Sequence, residues 1–112
     1  MLNLFNPGQV LDKNIDNEVK SKILSELIAL NSVYGMRTID NYKIVDGGYV
    51  ILIETKEDID KLNKNEFNLL NNIEYAEIIK DYVSVLYIKN NNFSVKVYIP
   101  KDICPKEIFS YI

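Results

Sequence analysis

Along the 112 residues the apolar positions change period several times, and each change marks an element. From Asn17 to Tyr34, Val19, Ile23, Leu27, Leu30 and Tyr34 recur at steps of four and three, with Leu24 and Ile28 widening the stripe. That spacing puts them on one side of an α-helix and leaves Lys20, Lys22, Ser25 and Glu26 on the wet side. Asp16 is suited to cap its start, because a carboxylate there accepts a hydrogen bond from a free first-turn amide. Gly35 stands where a left-handed residue would end the helix.

Strand-like patterning dominates later. The stretch YVSVLYIKNNNFSVKVYIP, residues 82–100, holds two β-branched and aromatic runs separated by asparagines. A two-residue turn at Asn90 and Asn91 pairs Ile88 with Phe93, Leu86 with Val95, Ser84 with Val97 and Tyr82 with Ile99. One face of this ribbon is then almost wholly apolar. The other carries Val83, Val85 and Tyr87 against Ser94, Lys96 and Tyr98. The first run, apolar on both sides, reads as a central strand, and the alternating second run reads as lying nearer an edge. Residues 42–54 predict a second hairpin turning at Gly47-Gly48, and residues 73–80 a further strand closed by a bend at Asp81.

Between the strands, Thr55-Lys56-Glu57-Asp58 has the form of a helix start, a threonine cap followed three residues on by an acid. Ile59 and Leu62 face inward, and the asparagine-rich residues 63–72 predict a break near Lys64 or Asn65. Residues 1–12 read as an N-terminal arm with a turn at Asn6-Pro7-Gly8. Residues 100–112 read as a C-terminal turn in which Pro100 and Pro105 exclude regular structure between them, with a last helical turn starting at Pro105. The expected fold is a single α+β domain over residues 1–112. It has two layers, with a mostly antiparallel sheet of about five strands in the order α-ββ-α-βββ, covered by one long and one short helix.

Composition narrows the function more than it identifies one. With 47% hydrophobic and 26% charged residues the chain is that of a folded domain. A net charge of −3 and a single arginine, Arg37, argue against nucleic acid, which needs a basic stripe. No apolar run approaches the roughly 20 residues of a membrane span, and the first ten residues lack the basic start of a signal peptide. The expectation is a cytoplasmic protein with no membrane partner. Cys104 is the only cysteine and histidine is absent, which removes the commonest general base and metal ligand. The acids Glu54, Glu57, Asp58 and Asp60 lack the alternating ligands of a calcium loop and suit a helix N-terminus instead. No catalytic residue, cofactor or metal ligand is therefore expected. Heavy use of Ile, Asn, Lys and Tyr, whose codons are AT-rich, points to a low-GC bacterium or a phage or other mobile element.

These readings lead to a small non-catalytic protein-interaction module, an adaptor, inhibitor or immunity-type protein acting through a sheet face or edge. The expected contact surface is Val83, Val85, Tyr87 and Tyr98 with Lys96 at its rim, meeting a protein partner or a second copy in a homodimer. A competing expectation is that the termini, with Phe5, Phe109 and Tyr111, fold over that face. Two other classes share the composition: a small enzyme or ligand-binding domain with its site between helix and sheet, and a virion or tail component.

Overall fold

Helix α1, Asn17–Tyr34, begins where the apolar spacing places it. Asp16 Oδ1 accepts the Glu18 amide at 2.8 Å, and the Asp16 carbonyl accepts the Lys20 amide at 2.9 Å, so the cap is the one the sequence predicts. The structure, a computed structural model, describes residues 3–4, 14–34, 47–64, 70–90 and 93–112. Gly35, the first half of the expected residue 42–54 hairpin and most of the N-terminal arm lie outside the described residues.

After α1 come β1 (Gly47–Leu52), α2 (Lys56–Lys64), β2 (Ile73–Ile79), β3 (Tyr82–Asn90), β4 (Phe93–Pro100) and a 3-10 helix, Lys106–Tyr111. The class is α+β, but the expected five strands under two helices are not what forms. Among the described residues there are four full strands in the order β1-β4-β3-β2, and three helices. A two-residue segment, Asn3–Leu4, pairs antiparallel with the outer side of β1. Gly47 and Gly48 are not a hairpin turn; they lie within β1, opposite Phe93 and Ser94. β1 runs parallel to β4, whereas β2/β3 and β3/β4 are antiparallel. Parallel neighbours need a crossover. Here α2, β2 and β3 all intervene, so adjacency in sequence misassigned the partner of β1.

The β3/β4 hairpin forms, shifted by one residue from the expected register. Asn90 pairs with Phe93, and an irregularity between Ile88 and Asn90 leaves Ile88 opposite Ser94, Leu86 opposite Lys96 and Ser84 opposite Tyr98. A one-residue slip moves every side chain of one strand to the other face relative to its partner. Val83, Val85 and Tyr87 therefore line up with Ile99, Val97 and Val95. β4 is also not near an edge: it sits between β1 and β3, with residues 94–99 all buried.

Two clusters result, one per face. The first joins Ile51, Ile53, Val83, Val85, Tyr87, Val95, Val97 and Ile99 to Ile59 of α2 and to Cys104 and Ile108 beyond β4. The second joins Val50, Leu52 and Tyr98 to Val19, Ile23 and Leu27 of α1. Asp58 holds the start of α2: its Oδ2 accepts the amides of Glu54 at 3.0 Å and Thr55 at 3.2 Å. This is the half of a capping box in which the acid reaches back, and it explains why the carboxylate is buried.

Candidate functional site

The five residues expected to form a contact patch are all interior. Val83, Val85 and Tyr87 are covered by the segment that includes Cys104 and Ile108, and Tyr98 and Lys96 lie on the opposite face beneath α1. Two causes combine. The register slip separates Val83, Val85 and Tyr87 from Lys96 and Tyr98, and the third helix, anchored by fully buried Ile108, closes over the former set. Phe109 and Tyr111, expected to fold inward, remain on the outside of that helix.

Lys96 is the most informative of the five, with only 4% of its surface accessible. It projects from β4 on the α1 side and reaches past Leu86 of β3 to the edge strand. Its ammonium donates to the Tyr75 hydroxyl at 3.1 Å and lies 4.7 Å from the centre of that ring. It pairs with Glu26 Oε1 at 3.4 Å and with Glu77 Oε1 at 3.7 Å. The other oxygen of Glu26 accepts the Tyr98 hydroxyl. A buried ammonium needs counter-charges close by; here one element from each side, α1 and β2, supplies an acid. Burial, and then the Glu26 carboxylate, push the Tyr98 phenol well above its ordinary value, so it stays a hydrogen-bond donor. Glu26 and Glu77 are the residues that sequence reasoning missed. The available signal was Lys96 itself, a cation between valines in a strand, which requires a counter-ion once both faces are covered.

This network clamps α1, β4 and β2 together. The Tyr98 phenol keeps its proton, and the Lys96 ammonium is enclosed. Cys104 is buried, donates to the Pro105 carbonyl at 3.7 Å and has its pKa pushed up to about 11 by burial, which leaves it a thiol at neutral pH. Among the described residues no group of three His, Cys, Asp or Glu is placed to hold a metal. A cleft of about 560 Å³ opens between the start of α1, the β2–β3 turn and the end of β4, floored by Ile15, Val19, Tyr82 and Pro100. Its flanking Lys80 is paired with Glu18 at 3.4 Å.

The exposed feature is the edge to which the clamp leads. β2 is the last strand of the sheet, and among the described residues none pairs with its outer side. The turn that follows holds Lys80 at φ 55°, a sparsely populated value for a lysine. Tyr75 and Ile78 on β2 are 44% and 49% exposed, and the 3-10 helix that packs against β2 carries Phe109 and Tyr111, 38% and 45% exposed. Glu74 is bulged out of the β2/β3 register between Ile73 and Tyr75. Among the described residues no helix is long and apolar enough to cross a membrane. Comparison of the chain with protein-family models, with curated proteins and with solved structures returned no match.

Proposed function

We propose that the protein is a non-catalytic interaction module that works by contact through the open edge of its sheet, accepting an extended segment of a protein partner beside β2. One observation carries this reading: the outermost strand leaves its backbone groups unpaired on one side among the described residues, and apolar and aromatic side chains flank it on both faces. An added strand satisfies such an edge with main-chain hydrogen bonds, and neighbouring side chains supply the choice of partner. Exposed edges are otherwise blunted by charge, proline or cover, and β2 has only its bulge and two glutamates. A protein partner, rather than nucleic acid or membrane, is supported by the net charge of −3 and the single arginine. A reducing, cytoplasmic setting is supported by one cysteine held as a buried thiol.

Selection of a displayed random-peptide library against the purified protein tests the reading. The expected binders slow amide exchange in β2, lose about tenfold or more in affinity against Ile78→Lys, and bind unchanged to Ile28→Lys on the exposed side of α1. Binders indifferent to Ile78→Lys that protect another part of the protein would reject it.

A further inference from the structure

The two faces of the open edge differ in what they can accept. Alternation along β2 puts Tyr75 and Glu77 on the α1 side, and Ala76 and Ile78 on the side of the 3-10 helix. On the α1 side, two carboxylates, Glu26 and Glu77, share one ammonium, Lys96, leaving a formal surplus of one negative charge. The surplus falls at Glu77. Its contact with Lys96 is the longer, 3.7 Å against 3.4 Å, and its side chain is 43% exposed against 16% for Glu26. Glu26 has in addition the Tyr98 hydroxyl. Glu74, bulged and exposed, adds a second carboxylate on the same strand. On the opposite side the edge offers Ile78, with Phe109 and Tyr111 on the adjoining helix.

Directly opposed side chains on neighbouring strands attract when their charges are opposite and repel when they are alike, and apolar pairs reinforce one another. We infer that the segment β2 accepts is an extended, alternating one, with lysine or arginine facing the α1 side opposite Glu77 and β-branched or aromatic residues facing the 3-10 helix. This rests on the reading of β2 as the contact edge. A second copy of the chain is a poorer complement, because two β2 strands edge to edge would bring Glu74 and Glu77 of both molecules to one seam.

Three capped eight-residue peptides separate the possibilities: alternating valine and arginine, alternating valine and glutamate, and the valine–arginine peptide with prolines at its two central positions. Each is titrated into the intact protein and followed by amide chemical shifts at low and high sodium chloride. The valine–arginine peptide is expected to shift β2 amides and to bind about tenfold tighter than the glutamate peptide, with the advantage shrinking at high salt as the charges are screened. Glu77→Gln, with an unchanged fold checked from its amide spectrum, should lower its affinity about two- to fivefold, and Glu74→Gln by less. The proline peptide should not bind, since it cannot complete the main-chain ladder. Equal binding of the glutamate peptide at β2 would overturn the charge assignment and leave the edge reading intact. Binding of any peptide, the proline one included, without β2 shifts would overturn both, as would no binding of the valine–arginine peptide at millimolar concentration. A concentration-dependent dimer in sedimentation, abolished by Ile78→Lys, would replace the basic segment with a second copy.

Discussion

The two faces of the sheet are closed by different physics. Against the 3-10 helix the cluster is apolar apart from the Tyr87 phenol and the Cys104 thiol, and its cohesion comes from area removed from water, which has no direction. Under α1 the apolar residues Val50, Leu52, Val19, Ile23 and Leu27 share their face with Lys96, Tyr98 and Glu26, whose contacts are directional. The apolar face can shift by small amounts at little cost, because any well-filled arrangement will serve. The network admits one seating of α1, since Glu26 must meet both Lys96 and Tyr98, and it ties the edge strand to the same point through Tyr75 and Glu77. The face with the charge is therefore the one that sets position.

The sharpest way to break this contrast is at its centre. Lys96→Ala leaves Glu26 with an uncompensated charge in a largely enclosed site and should cost about 3–5 kcal/mol, whereas Lys96→Met fills the space and should be far milder. Urea denaturation of the pair decides it; equal losses would mean that packing, not charge, holds Lys96 in place. On the apolar face the corresponding change is Ile108→Ala, expected to cost on the order of 3 kcal/mol as a cavity in a packed core. Tyr98→Phe removes one donor from Glu26 and should cost about 1–3 kcal/mol. A loss below the error of measurement would show that Lys96 alone satisfies the carboxylate.

Alkaline pH probes both faces together. The Tyr87 and Tyr98 phenols are pushed above their ordinary value of 10.0, in each case chiefly by burial, and Cys104 is pushed from 9.0 to about 11. A raised pKa means that the folded state holds its proton more tightly than the unfolded one. The stabilisation is therefore complete below the unfolded value and is lost as pH rises toward the folded one. Denaturation midpoints should hold steady up to about pH 9 with respect to these groups, fall first through Cys104 and then fall more steeply above about pH 10. Tyr87→Phe and Tyr98→Phe should each flatten the steeper part, and a drop that neither variant alters would assign it elsewhere. The smallest effect is expected at the edge: Ile78→Lys should change stability by no more than about 0.5 kcal/mol while removing strand addition, which separates a contact residue from a core one.

Much of the local structure was legible. Asp16 and Val19, Ile23 and Leu27 of the α1 stripe, the start of α2 at Thr55 to Asp58, the reversal at Asp81 and the helix that follows Pro105 each depend on neighbours a few residues away, and short-range chemistry is enough to place them; Ile28, expected to widen the stripe, is instead 63% exposed. The candidate site was not legible in the same way. Glu26 looked like an ordinary wet-side acid, and Tyr75, Glu77 and Ile78 carried no mark of lying on the last strand, because strand order is a property of the whole sheet.

What the sequence determined by itself was the place of α1, the start of α2 and the limits of β2, β3 and β4, with the alternation of side chains along those strands, but not the number of strands and helices. The tertiary structure alone decided which alternate set faced which layer. Period two says that Ser94, Lys96 and Tyr98 share a side; it does not say whether Val83 or Ser84 stands with them, and an irregularity beside Asn90 settles that. The parallel seating of β1 beside β4 is likewise set by a crossover no local pattern records. Burial of Lys96 follows from both, since a cation enters a core only where elements distant in sequence, here Glu26 and Glu77, arrive to neutralise it.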